Sequence, residues 1–251
     1  MTIQRTALIT GAASGIGLAI ARRLAANGMH VMLADRSEQV HEVTRSLCSN
    51  GGRAIAHLSD LGQPEQVLDL ANAAKTALGH VDILVNNAGV HPKNEGRPFK
   101  LPEITTPDWE TVLRINLTAP FVLCRELVPT MQVGRWGRII NIASRAGRTF
   151  IEPVGVHCSA SKAGLIGLTR QIAGAYAADR ITANCIAPGR VETPLSSTSS
   201  DTIIQKAIAG VPAGRLGTPN EIAAVAEFLA SDGAAFVTGV CIDANGGAFI
   251  G

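Results

Sequence analysis

The sequence predicts an α/β fold, a doubly wound parallel sheet with helices on both faces, and three observations predict it. Short runs of Val, Ile, Leu and Ala alternate with longer helical patterns, the signature of parallel strands buried on both faces and joined by crossover helices. A glycine cluster stands between the first apolar run and the first helical pattern. With 251 residues and 46% hydrophobic content, the chain can bury a sizeable core, and we expect one domain over 1–251.

The elements follow from local pattern. The apolar run TALIT predicts a strand at 6–10, and the glycines after it open a helix at 15–26. The next two apolar runs, at 30–34 and 53–57, enclose a helical pattern at 37–49. Pro64 and Pro107 fall where a first helical turn tolerates proline, so helices are expected at 64–78 and 106–131, on either side of a strand at 83–85. Further strands are expected at 138–143, 182–186 and 240–243, with helices at 157–177, 202–209 and 220–231. Asn220 followed by Glu221 makes a helix start. Two stretches escape the rhythm: 91–105, with three Lys or Arg, and the Ser- and Thr-rich 189–200. We read them as substrate loops near 90–105 and 189–210, over the carboxyl ends of the strands, where open α/β sheets bind ligands.

Composition narrows the function. The formal charge is +2, without a basic run, which gives no electrostatic footprint for nucleic acid and favours a small-molecule partner. MTIQRTALIT carries one arginine and a short apolar run, too little for a signal peptide or a membrane span, so a cytoplasmic protein is expected. The cysteines at 48, 124, 158, 185 and 241 form no C-x-x-C pair and no two histidines share an H-x-x-x-H spacing. Neither a disulfide framework nor a metal site is expected.

The chemistry begins at TGAASGIG, where Gly11, Gly15 and Gly17 follow a G-x-x-x-G-x-G spacing. Glycines permit a tight turn and close backbone approach, and a helix N-terminus offers free N–H groups to a pyrophosphate. Asp35 closes the second strand, eighteen residues after Gly17. A carboxylate there accepts both ribose hydroxyls of NAD and repels the 2′-phosphate of NADP. At about 5 Å and an effective dielectric of about 20 the repulsion is roughly 3 kcal/mol per unit charge. NAD is therefore expected over NADP; Arg36 could pair with a phosphate, but Ala13 and Ser14 add no second cation.

Together with NNAG at 86–89, IINIAS ending at Ser144, CSASK ending at Lys162 and PGRVET at 188–193, these motifs make the chain resemble the short-chain dehydrogenase/reductase family nearly end to end. The resemblance implies a Rossmann-type sheet of seven strands in order 3-2-1-4-5-6-7, a homotetramer, and hydride exchange between a nicotinamide cofactor and a carbonyl or alcohol carbon. By that likeness Ser14, Ile16 and the glycines bind the cofactor's phosphates and Asp60 and Leu61 its adenine. Asn87, Ala88 and Gly89 bind the adenosine ribose and central backbone, and Pro188, Gly189, Val191 and Thr193 the nicotinamide end. The family's catalytic Asn, Ser and Lys correspond to Asn116, Ser144 and Lys162. Ser144 would hydrogen-bond the substrate oxygen, Lys162 would lower a neighbouring acid's pKa and hold the nicotinamide ribose, and Asn116, inside a long helix, would fix a water leading protons to Lys162.

One position departs. The family has tyrosine four residues before the lysine; here Cys158 stands there, and the one tyrosine of the chain, Tyr176, is eighteen residues away. A cysteine sulfur sits roughly 4 Å closer to its backbone than a tyrosine oxygen, beyond direct proton transfer unless a water intervenes. His157 is rotated about 100° around the helix from Cys158 and should face elsewhere. Three readings stand: an enzyme whose tyrosine has been replaced, an NAD-binding module without turnover, and an enzyme whose Cys158 thiolate, favoured by Lys162, works through water. Lys93, Arg97, Arg145, Arg148 and Arg190 surround the predicted substrate side. Either they are solvated surface charges, or they point to a sugar, polyol or hydroxy acid, with a 3-oxoacyl carrier-protein substrate as the alternative.

Overall fold

The computed structural model describes residues 4–94, 96–152, 154–193, 205 and 208–251. Strand β1 (Thr6–Thr10) leads to α1 (Gly15–Ala26), β2 (His30–Asp35), α2 (Gln39–Ser49), β3 (Arg53–Leu58), α3 (Pro64–Leu78) and β4 (Ile83–Asn86). A small hairpin follows, β5 (Lys93–Asn94) and β6 (Arg97–Pro98), then α4 (Thr106–Leu113), α5 (Ala119–Gly134) and β7 (Gly137–Ile142). The chain continues through α6 (Val156–Tyr176), β8 (Ile181–Pro188), α7 (Pro219–Ala230) and β9 (Cys241–Ala244).

The main sheet has seven strands in order β3-β2-β1-β4-β7-β8-β9, all parallel. Set the hairpin aside and this is the expected order. Alternate residues along each strand feed opposite layers. Ile9, Leu33, Val85 and Ile140 join the core under α1 and α7, whereas Leu8, Met32, Leu84 and Ile139 join the core under α3 and α5. Each such fully buried aliphatic side chain contributes about 1.5–3 kcal/mol. The chain builds outward from β1 to β3, then returns to place β4 on the other side of β1, and the crevice at the carboxyl ends there is the natural ligand site. A buried polar chain ties that crevice together: Asn86 Nδ2 donates to Asn141 Oδ1 at 2.8 Å, and Asn141 Nδ2 donates to Thr169 Oγ1 at 2.8 Å.

Three expectations are corrected. The single helix at 106–131 is two, separated by a π-helical turn at Arg114–Thr118. Pro120 explains the break, because it has no N–H to offer the Asn116 carbonyl four residues back. The last helix begins one residue earlier than Asn220: Thr218 caps it, accepting from Glu221 N while Glu221 reaches back in a capping box. The stretch 91–105 holds the β5–β6 hairpin and a short 3₁₀ turn, Leu101–Glu103, and is not irregular throughout. The helix expected at 202–209 falls largely outside the described residues.

Candidate active site

The glycines of the first turn are required by distance as well as by dihedral angle. Gly11 and Gly15 have φ of 64° and 55°, in the left-handed region that favours glycine. A Cβ on Gly17 would lie 2.2 Å from Gly11 O, and one on Gly11 would lie 2.8 Å from Ala88 Cα. The loop is thus clamped between α1 and the end of β4. Asn87 closes the clamp, its Nδ2 donating to Thr10 O and Gly11 O, both at 2.9 Å. Ser14 precedes α1 without capping it, and no acidic side chain occupies the first turn, so the positive helix end stays open to an anion. Asp35 stands across this loop: Oδ2 accepts from Ala13 N and Oδ1 from Ser37 N, each at 3.0 Å. Two backbone contacts fix the orientation of its carboxylate.

From this turn a continuous cavity of about 1130 Å³ runs past the ends of β1, β4, β7 and β8. It exceeds the usual span for small ligands of about 300–1,000 Å³. Apart from Gly17, which works behind the wall, every residue expected to hold the cofactor lines it, from Gly11 to Thr193. The donor set, an uncapped helix end with an anchored carboxylate across it, fits a dinucleotide.

At the other end Ser144, Cys158 and Lys162 share the wall. Ser144 follows β7, and its Oγ accepts from Ala146 N at 3.0 Å, which opens a 3₁₀ turn and orients the hydroxyl. Lys162 is buried, and its Nζ donates to Ile142 O at 2.7 Å; burial pulls its ammonium below the ordinary lysine range, opposed by the Cys158 and Cys185 sulfurs. A Cβ on Gly89 would be 3.3 Å from both Lys162 Nζ and Asn116 Oδ1, so the two side chains meet over that glycine. Asn116 itself is fully buried behind the cavity wall. Its Oδ1 accepts from Val90 N at 2.8 Å, and its Nδ2 donates to Val90 O at 3.0 Å and Ser161 Oγ at 3.1 Å. Its amide therefore staples the end of β4 to α6. Burial pushes the Cys158 thiol up, against the pull of Lys162; the net direction favours the neutral thiol.

A family model described as Enoyl-(Acyl carrier protein) reductase matches residues 11–248. Nodulation protein G of Rhizobium sp. (strain N33) is 41% identical over 244 residues, 97% of this chain and 96% of that protein. The 3-oxoacyl-[acyl-carrier-protein] reductase FabG of Escherichia coli (strain K12) is 38% identical, covering 98% of each chain. The chain is a short-chain dehydrogenase/reductase. Among solved structures, a 3-oxoacyl-[acyl-carrier protein] reductase from Brucella melitensis with bound NAD superposes with a TM-score of 0.92 at 34% identity, over 100% of this chain and 93% of that one. A protein from Beutenbergia cavernae, assigned as an NAD(P) dependent gluconate 5-dehydrogenase and holding NADP at low occupancy, gives 0.91 at 36%, over 98% and 97%.

As an oxidoreductase of this family the chain has a substrate end that sequence reasoning covered in part. Lys93, Arg97, Arg145 and Arg190 line the cavity as expected. Arg148 does not: its Nη1 donates to Cys241 O at 3.1 Å and pairs with Asp243 at 3.4 Å. Arg97 holds Glu103 through two bonds of 2.7 and 2.9 Å. His157 is buried with its Nδ1 accepting from Cys158 N at 3.0 Å, turned away from the cavity as its helical phase required. His91, Phe150, Ile151 and Glu152 line the cavity and were not singled out beforehand. The signal for His91 was its place directly after NNAGV. Its Nε2 accepts from Gly155 N at 3.4 Å, and burial, then Lys93 and His157, keep its imidazole below the ordinary histidine range. Among the described residues no three His, Cys, Asp or Glu side chains cluster as a metal site, and no helix is long and apolar enough to cross a membrane.

Proposed function

We propose that this protein is an NAD-dependent dehydrogenase acting on a secondary alcohol or ketone of a small polar substrate, a sugar, polyol or hydroxy acid. When bound, the nicotinamide supplies the hydride chemistry. The rest falls to the chain: the helix α1 N-terminus receives the pyrophosphate, Asp35 the adenosine ribose, and Lys162 the nicotinamide ribose. Ser144 hydrogen-bonds the substrate oxygen, and the Asn116 staple keeps Gly89 and Lys162 in register. The anchored Asp35 carboxylate supports NAD over NADP, because a 2′-phosphate would meet a negative charge that backbone bonds hold in place.

The observation that carries the substrate class is the lining beside Ser144. Lys93, Arg97, Arg145 and Arg190 line the cavity together with Glu152, Arg97 being paired with Glu103, and among the described residues no acceptor meets the buried Nε–H of Arg145. Buried donors of this kind demand a polar partner. The similarity to 3-oxoacyl reductases supports a second reading, acyl thioesters, with exposed Phe150 and neighbouring Ile151 as the apolar contact.

With Cys158 in the tyrosine position, the proton-transfer group is short and its thiol stays protonated, so we infer a low-activity form and set the thiolate reading below the other two. The deciding experiment assays Cys158→Tyr protein with sugars, polyols, hydroxy acids and acyl thioesters. Reaction with hydroxy acids or polyols is expected; reaction with acyl thioesters alone would end the polar-substrate reading. A homotetramer is part of the same proposal. Its support is the exposed apolar set Phe121, Val133, Phe228, Phe236, Val240 and Ile250, and light scattering of the purified protein checks it.

A further inference from the structure

The edge of the sheet farthest from β3 holds chemistry that the dehydrogenase reading does not use. Cys185 on β8 and Cys241 on β9 are register partners in adjacent parallel strands, so both side chains project to one face, where they pack with Ala143 and Ile166. Directly paired strand residues stand about 4.8 Å apart, inside the roughly 4.4–6.8 Å between Cα atoms that a disulfide spans. Both are free thiols, Cys185 buried and Cys241 half-buried, and they share a side-chain hydrogen bond. Cys185 is further held by Thr169, whose Oγ1 lies 3.0 Å from its Sγ. Arg148 sits over the outer partner, bonded to the Cys241 carbonyl.

We propose that Cys185 and Cys241 are a redox-active pair which a hydroperoxide closes into a disulfide across β8 and β9, with Cys241 the attacking sulfur and Cys185 the resolving one. The roles follow from asymmetry. Cys241 is the partner solvent can reach; the hydrogen bond from Cys185, and then Arg148, pull its thiol down against burial, while that same bond and burial push Cys185 up. Ionisation therefore settles on the outer sulfur, the form that attacks. In the first step the Cys241 thiolate takes one peroxide oxygen: an S–O bond forms, the O–O bond breaks, sulfur loses two electrons, and the departing hydroxide or alkoxide is protonated by solvent. In the second, Cys185 attacks the sulfenic sulfur: the S–S bond forms, the S–O bond breaks, and hydroxide leaves as water with the Cys185 proton.

The bond would brace a seam that carries one wall of the cavity. Cys185 is three residues before Pro188 on β8, and β9 runs into Asn245 and Gly246. Gly189 N donates to Ala244 O at 3.0 Å, and a Cβ on Gly189 would come within 2.9 Å of Asn245. This inference is independent of the proposed substrate.

The test treats the native protein with one equivalent of hydrogen peroxide, blocks remaining thiols with N-ethylmaleimide, and maps peptides by mass spectrometry. The expected product is an intrachain Cys185–Cys241 link, reversed by dithiothreitol, formed several-fold faster than exposed Cys48 is oxidised. In Cys185→Ser protein, dimedone should trap a sulfenic acid on Cys241; in Cys241→Ser protein, Cys185 should stay a thiol. If the Cys185→Ser protein does not fold, the half-buried Cys241→Ser variant and the wild-type map still decide. Oxidation of Cys48 with the pair left reduced, or a link between chains, would overturn the proposal.

Discussion

The two ends of the cavity are built from different materials. At the glycine-loop end the geometry is set by backbone: Gly11 and Gly15 at positive φ, Gly17 with no room for a Cβ, and an Asp35 carboxylate held by two peptide N–H groups. At the Ser144 end it is set by side-chain reach, from Ser144, Cys158 and Lys162. Backbone contacts fail through crowding, and the failure spreads into the fold. A side chain that reaches too short fails silently, leaving the glycine-loop end intact.

That contrast predicts a ranked set of outcomes. The largest effect should come from Cys158→Tyr, which supplies a phenol beside Lys162 and should raise kcat by about 10²–10⁴, while NADH affinity changes by no more than about twofold. Steady-state kinetics and calorimetry on the same sample measure both; a variant that binds NADH and stays inert with every substrate tested would remove the enzyme reading. Gly17→Ala should act in the opposite way. Overpacking against Gly11 O costs about 1–3 kcal/mol, so a lower Tm and a roughly tenfold or greater loss of NADH affinity are expected together, and unchanged thermal melting would show that the glycine clamp is loose. Asp35→Asn comes next: NADH should bind wild-type protein at least about tenfold tighter than NADPH, and removing the charge should bring the two close to parity. Equal affinities already in the wild type would hand control of the site to Arg36.

The smallest expected effect concerns the thiol itself. Because burial raises the Cys158 pKa above its ordinary value, the neutral form persists as pH rises through the range where a free cysteine ionises. Iodoacetamide should therefore label Cys158 more slowly than exposed Cys48 at pH 7.5 and accelerate only at higher pH. Faster labelling of Cys158 at neutral pH would restore the thiolate mechanism.

How much of this was legible beforehand depended on the range of the interactions. The strands were readable because each carries a short apolar run, with β1 and β7 buried at every position, and Gly11, Gly15, Gly17 and Asp35 because their spacing states a local geometry. The break at Arg114–Thr118 was written in Pro120, four residues after Asn116, but the amphipathic pattern around it runs on unbroken. The partners of Asn116, Val90 and Ser161, lie 26 and 45 residues away, and only the packing of α6 against the Arg114–Thr118 turn, with the segment after β4 beside it, reveals them. His91 joined the cavity for the same reason. At Cys158 the missing reach was visible in the residue type, while the direction of its pKa required knowing that burial outweighs a nearby ammonium.

The bond from Lys162 Nζ to the Ile142 carbonyl bears on the protein's history. The lysine rests on a strand, so its place does not depend on what occupies position 158. Position 158 opens on the cavity, so chains carrying cysteine or tyrosine there are expected to fold and to resist proteolysis alike. On the reading proposed above, one nucleotide change carries a lineage between catalyst and silent cofactor holder, and back, with a foldable protein at each step.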